Sequence, residues 1–339
     1  MSPECKTRNL VKIDENLRLW PCPFVSNSYN KTESGGKAVR DEFLNVLDED
    51  WNSLQNKSFD EVLNHDAFTT HFNYEHWDDE TKCSWICKRN CDKDKLKNID
   101  VDYHREKRKR TKLLKYRDLP IKKSLQSLEL GITSHCNAGC SGCNRTDNNT
   151  RKARQDLKLI HTPTIKIKQC VDNAIEYFPG IRSIVFCGTR GDPMMHPDIE
   201  ELIEYVCQRL HLKINTNGSL RSPEFYKRIA NIHLKIVFSI DGLEDTNHIY
   251  RYGTSWDNIW NNLTSYCNAG GYAQWDFLVW EHNWHQIPKV KQICNNLGVK
   301  HVEFKITRQG THRQGDGTPI VKSIEDEQTL NTIKEWING

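Results

Sequence analysis

The sequence predicts an α/β fold built on a parallel sheet, and three observations carry that prediction. From Leu125 onward, short apolar runs of strand length alternate with segments of helical period, the pattern of repeated βα units. Polar and glycine-bearing segments recur just after those runs, where the loops of parallel α/β folds gather a ligand. A length of 339 residues leaves room for such a core and about one further domain.

In chain order, Leu10-Val11-Lys12-Ile13 and Leu17-Arg18-Leu19-Trp20 alternate across the turn-prone Asp14-Glu15-Asn16, which predicts a hairpin. Cys5 and Cys22 flank its open ends. Residues 26–37 read as a loop. Residues 41–47 and 59–68 read as short helices, the second opened by Ser58 as N-cap with Glu61 three positions on. Cys83, Cys87 and Cys91 follow at spacings of four, which suits a helix face or a ligand loop. A run of Lys and Arg between Arg105 and Arg117 has few aromatics beside it, so a solvated linker outweighs phosphate binding.

The core strands are expected at 128–133, 183–187, 211–215, 234–240, 275–280 and 302–306, giving six βα units. Helices are expected at 199–206 and 287–293. Residues 311–318 are polar with two glycines and read as a mobile flap or connection. A helix over 325–336 is expected to cap the core.

Thirteen cysteines are an odd number, and six of them fall in two bunches, which favours metal ligation in a reducing compartment over a disulfide framework. A formal charge of +3 argues neither for nor against a charged partner. Met1–Lys6 lack an apolar signal core, and no apolar run approaches a membrane span. A soluble, cytoplasmic protein without a membrane partner is the expectation.

The densest chemistry is Cys136-Asn137-Ala138-Gly139-Cys140-Ser141-Gly142-Cys143, directly after the first core strand. Structural zinc and four-cysteine iron-sulfur sites take four protein ligands. This loop offers three, and no further Cys or His follows until His161, so one position stays open for a substrate or cofactor. Gly188-Thr189-Arg190-Gly191-Asp192-Pro193, Thr216-Asn217-Gly218 and Ser239-Ile240-Asp241-Gly242 stand at the ends of the next three strands. Together the four segments describe one site.

These segments resemble the radical S-adenosylmethionine (radical SAM) superfamily. The loop has its CxxxCxxC spacing. Gly191-Asp192-Pro193 with His196-Pro197-Asp198-Ile199 resembles its Gly-Gly-Glu-Pro segment, and Thr216-Asn217-Gly218, Ser239 to Gly242 and Tyr250 to Thr254 are similar to segments at its usual stations. Three positions depart from the pattern: Gly142 where an aromatic is usual, Arg190 for the first glycine, and Asp192 for the glutamate.

The resemblance implies a partial (β/α)6 TIM-like barrel over 122–310, with a 311–339 extension. It further implies a [4Fe-4S] cluster held by Cys136, Cys140 and Cys143, with S-adenosylmethionine on the open iron. One electron would cleave the sulfonium to a 5′-deoxyadenosyl radical that abstracts hydrogen from a substrate. By the same likeness, Gly191 and Asp192 would receive the methionine ammonium and Arg251 its carboxylate. Thr216, Asn217, Ser239 and Asp241 offer groups for the carboxylate or ribose; read from the residues alone, Asn217-Gly218 and Asp241-Gly242 are equally turn or cap chemistry.

The N-terminal cysteines resemble a small α+β twitch module, a shortened SPASM domain, placed before the barrel as in a group of phage enzymes. It would cover 1–100, with 101–121 as basic linker, and hold a second, auxiliary iron-sulfur cluster. Its ligands would be Cys5, Cys22 and two of Cys83, Cys87 and Cys91, the first two of these favoured. An electron donor such as flavodoxin or ferredoxin is implied, in the host cytoplasm if the protein is phage-encoded. Peptide or protein modification is the expected reaction, ahead of nucleotide or carbohydrate modification. A zinc-binding structural or interaction module is the rival from another class.

Other residues read as ordinary structure. His196 fits a cap or packing role at a helix start, although His196, His282 and His285 are all candidates for acid-base groups. Trp275, Trp280 and Trp284 fit a core better than a substrate channel. Cys170, Cys187, Cys207, Cys267 and Cys294 read as buried thiols.

Overall fold

The computed structural model describes residues 10–20, 26, 50–68, 121–187, 190–230, 233–307 and 310–338. They fall into two compact units: the described residues up to Gly131 with Thr162–Ile184, and Ile132–His161 with the residues from Val185 onward. Cys5, Cys22, Cys83, Cys87, Cys91 and the basic run 105–117 lie outside the described residues.

In the first unit, β1 (Leu10–Ile13) and β2 (Leu19–Trp20) form the expected antiparallel hairpin, with Lys12 opposite Trp20. Asp14 shapes its turn. One carboxylate oxygen accepts from the Asn16 and Arg18 N–H groups, and the other accepts from Trp20 Nε1 at 2.9 Å. β1 also runs parallel to β3 (Ser127–Leu130). The register puts Val11 beside Leu128 and Ile13 beside Leu130, all buried, because a slip of one residue would turn each apolar set to the wrong face. On the opposite face Lys12, only 2% exposed, pairs with Glu129 at 3.4 Å.

The helix Phe59–Leu63 opens on the expected capping box, Ser58 with Glu61. It ends at Leu63, short of residue 68, with Asn64 as its C-cap. Phe59 stacks on Tyr177 at 5.8 Å, at the end of the helix Thr164–Tyr177, and the Tyr177 hydroxyl donates to Asp60.

The second unit opens with the cysteine loop and a short antiparallel ribbon, β4 (Thr146–Asp147) and β5 (Lys152–Ala153). β6 (Ser183–Phe186), β7 (His211–Thr216), β8 (Leu234–Ser239), β9 (Tyr272–Val279) and β10 (His301–Ile306) then lie side by side in sequence order. β7 to β10 pair in parallel. Parallel neighbours need crossovers, supplied by helices such as Ile199–Cys207, Trp256–Asn268 and Ile287–Leu297. With β3, all six predicted core strands are present, and the fold is α/β with a mostly parallel sheet.

Residues 311–318 are not a plain connection. Their first part is β11 (His312–Arg313), paired antiparallel with β12 (Pro319–Val321). The C-terminal helix is Glu327–Asn338, and its Trp336 stacks on Trp284 at 5.4 Å. Trp275 and Trp280 are fully buried, and Trp275 Nε1 donates to the Ile240 carbonyl. Cys170 and Cys294 are buried as expected, but Cys187, Cys207 and Cys267 are only half-buried. Cys187 follows the last residue of β6, and Cys207 and Cys267 sit in the last turns of their helices, where neighbours cover only one side. Among the described residues no helix is long and apolar enough to cross a membrane.

Candidate active site

Cys136, Cys140 and Cys143 line one cavity of about 250 Å³. The loop is held by its carbonyls: the Arg145 guanidinium donates to Ala138, and Arg151 Nε donates to Gly139 at 2.7 Å. The Gly139 N–H in turn donates to the Tyr252 carbonyl at 2.8 Å. Burial, with Asp192 adding to it, pushes the Cys136 thiol up to about 12. Burial also raises Cys140, and the Arg251 guanidinium opposes this without cancelling it. Such thiols ionise when a metal takes the place of the proton.

Across the cavity stand Gly191, Asp192, Thr216, Asn217, Ser239 and Arg251, six of the seven cofactor residues expected from the sequence. At Gly191 a Cβ would run into the Thr133 and His135 backbone oxygens, so only glycine lets the two segments close; the Asp192 N–H donates to the same His135 oxygen at 2.8 Å. The Asp192 carboxylate is buried and already engaged. It accepts from the Met194 N–H, the Thr216 hydroxyl and the Asn217 N–H at 2.8–3.0 Å. Burial raises its pKa against those hydrogen bonds. Asn217 Nδ2 donates to Asn137 Oδ1 at 2.8 Å and lies 3.8 Å from the Cys136 sulfur, so the turn after β7 is tied to the cysteine loop.

Asp241 differs from the expectation, since it does not line the cavity. It is fully buried, its Oδ2 accepts from Arg251 Nε at 2.6 Å, and its Oδ1 accepts from the Leu278 N–H at 2.6 Å. It therefore aims a guanidinium whose Nη1 lies 3.8 Å from the Cys140 sulfur. Burial opposes the Arg251 charge most strongly, but Asp241, Cys140 and Tyr250 together outweigh it and raise the pKa.

Arg145, Cys187, Arg190 and Asn215 also line the cavity; the sequence marks Arg190 only as a departure from the family pattern and Cys187 only as a buried thiol, and it does not single out Arg145 or Asn215. Asn215 was legible in principle as a polar residue at a strand end, beside Thr216-Asn217. Its buried Oδ1 has no hydrogen-bond partner among the described residues, an acceptor left over for a ligand. Asn262 was also missed. It lies within the helix Trp256–Asn268, and its Nδ2 donates to the Gly218 and Leu220 carbonyls, fixing the turn after β7.

The histidines lie elsewhere. His196 is buried and its Nδ1 accepts from the Asp198 N–H, the capping role expected of it. His161 stacks on His135 at 4.2 Å and contacts the Thr133 hydroxyl at 2.9 Å, away from the cavity lining. Burial lowers the His282 pKa to about 4.

Among the described residues no three His, Cys, Asp or Glu side chains form a group that could hold a single ion. The three thiols stand around a shared space instead, which suits a cluster with iron at several corners. An unpartnered acceptor and a glycine cradle on the facing wall leave room for an organic ligand beside it.

Residues 130–279, from the end of β3 to the end of β9, match the Radical SAM superfamily. The match takes in a little under half of the chain. That match supports an enzyme, and the matching family implies a [4Fe-4S] cluster and S-adenosylmethionine. A tungsten-containing aldehyde ferredoxin oxidoreductase cofactor-modifying protein of Pyrococcus furiosus is 29% identical over 185 residues, covering 52% of this chain and 49% of its own. An AdoMet-dependent heme synthase of Nitratidesulfovibrio vulgaris is 24% identical over 209 residues, covering 60% and 54%. The chain thus spans about half the length of the curated relatives it matches. The Streptococcus suis SuiB structure bound to S-adenosylmethionine aligns over 76% of this chain and 60% of its own, with a TM-score of 0.48 and 16% identity.

Proposed function

We propose that this protein is a radical SAM enzyme whose cluster is held by Cys136, Cys140 and Cys143 and whose S-adenosylmethionine lies against Gly191, Thr216, Asn217, Ser239 and Arg251. The observation that carries this reading is the single cavity that the three thiols share with a glycine cradle and a charge-fixed guanidinium. When bound, the reduced cluster supplies one electron to the sulfonium, the source of the 5′-deoxyadenosyl radical in this superfamily.

The protein's part is to bind and orient. Asp192 braces the strand ends and leaves the backbone beside Gly191 to meet the methionine ammonium. Arg251, pinned through Nε, offers its remaining N–H groups to the carboxylate. Asn215 Oδ1 accepts from a ligand hydroxyl or amine.

A flavodoxin or ferredoxin would deliver the electron, and an auxiliary cluster would use Cys5 and Cys22 with two of Cys83, Cys87 and Cys91. Peptide or protein modification is the proposed reaction. The curated relatives carry names of cofactor modification and haem synthesis, so small cofactors belong among the substrates tried. Anaerobic reconstitution followed by iron, sulfide and zinc analysis tests the reading: iron and sulfide that depend on the loop cysteines support it, and zinc alone rejects it.

A further inference from the structure

Gly142 sits inside the cysteine loop at φ +72°, and the space its Cβ would take is filled by the His312 ring. That ring belongs to β11, far along the chain. Its Nδ1 lies 3.2 Å from the Ser141 hydroxyl, and it meets Trp280 edge to face with centroids 5.1 Å apart. The rest of the hairpin is docked as closely. Val321 and Ile320 join the apolar cluster of Ala138, Cys140, Tyr250 and Trp280, against which Cys136 and Cys143 also pack. The Lys322 carbonyl accepts from the Glu281 N–H at 2.9 Å. At the hairpin tip a Cβ on Gly315 would collide with Asn149, whose neighbour Asn148 accepts the Gly142 N–H at 3.1 Å.

We propose that the β11–β12 hairpin is a clasp over the cysteine loop, and that His312 is the positioning residue that fixes Ser141-Gly142 and thereby the Cys143 thiol. A glycine at positive φ leaves its backbone free to move, and here the missing side-chain wall is supplied by another segment. The pairing explains why position 142 carries no aromatic: an aromatic there and a histidine at 312 would compete for one space. What the clasp protects rests on the metal-binding reading above, whereas the contact itself does not.

The test uses the full-length metal-free protein and iodoacetamide, with the alkylation rate of Cys143 read by peptide mass spectrometry. His312→Ala removes an aromatic contact and a hydrogen bond, and the Cys143 rate is expected to rise about tenfold. Cys170, buried in the other unit, keeps its rate and reports that the fold is intact. His312→Phe restores the wall and recovers most of the protection. Gly142→Ala forces the ring away and also raises the rate, and adding His312→Ala to it gives less than the product of the two effects, as neighbours coupled through one contact do.

Arg313→Ala, which removes only the hydrogen bond from Nη1 to the Gly317 carbonyl at the exposed end of the same hairpin, raises the Cys143 rate less than His312→Ala does. If His312→Ala lowers the melting temperature so far that Cys170 reacts too, His312→Phe against Gly142→Ala decides alone. Equal Cys143 rates in wild type and His312→Ala, or effects of the two substitutions that simply multiply, overturn the proposal. A protein that takes up zinc and no iron but retains this coupling overturns only the functional reading.

Discussion

Asp241→Asn takes away the counter-charge of a guanidinium that is 17% exposed, while its own position is fully buried. At 2.6 Å and an effective dielectric of 20, the Coulomb attraction is about 6 kcal/mol. Desolvation of both ions offsets much of that, and removing one partner of a buried pair costs about 3–5 kcal/mol. Asn keeps one acceptor for two donors, Arg251 Nε and the Leu278 N–H, so the expected loss is about 3 kcal/mol, the low end of that range. Urea unfolding of the metal-free protein measures it: with a slope of about 3 kcal/mol/M, the midpoint falls by about 1 M. The double variant Asp241→Leu, Arg251→Met has no charge left to strand and regains most of the loss. A single variant within about 0.5 kcal/mol of wild type, or a double variant less stable than the single, refutes the assignment of Asp241 as the residue that holds Arg251.

Three further outcomes follow from the same geometry. Gly191→Ala places a methyl against the Thr133 and His135 carbonyls and is expected to cost about 1–3 kcal/mol in the same urea titration. Asn215→Ala removes an oxygen that has no partner among the described residues, so stability stays within about 0.5 kcal/mol. S-adenosylmethionine affinity, by titration calorimetry of the reconstituted protein, falls about five- to tenfold; unchanged affinity would mean that the oxygen meets no ligand. Burial lowers His282 from 6.5 to about 4, so its neutral form is the folded one. Its contribution is complete above about pH 6.5 and is lost as pH falls toward 4, because the unfolded chain takes the proton first. His282→Asn should flatten that part of the pH–stability curve.

The six core strands were legible because their apolar runs are short, β-branched and bounded by turns, and β3 and β6 to β10 fall where those runs fall. The pairing of β1 with β3 was not legible: strand pattern fixes which face is buried, but not which distant strand will cover it. Six of the seven residues expected on the cofactor side share one cavity with the thiols because strand ends converge in a parallel α/β fold. Asp241 was misplaced for a physical reason. A carboxylate at a strand end serves equally as ligand or as anchor for a nearby arginine, and only the direction of Arg251 decides. Gly142 read as a departure, and what fills its space, His312, arrives on a hairpin that the polar composition of 311–318 disguised.

The most direct measurement of the central claim is 5′-deoxyadenosine formed from S-adenosylmethionine by the anaerobically reconstituted, chemically reduced protein. Wild type is expected to form product, Cys140→Ala none, and replacing the three loop cysteines is expected to remove about four iron atoms per chain. Product formation that persists in Cys140→Ala, or a wild-type protein that binds zinc and makes no 5′-deoxyadenosine, would contradict a cluster held by the loop cysteines.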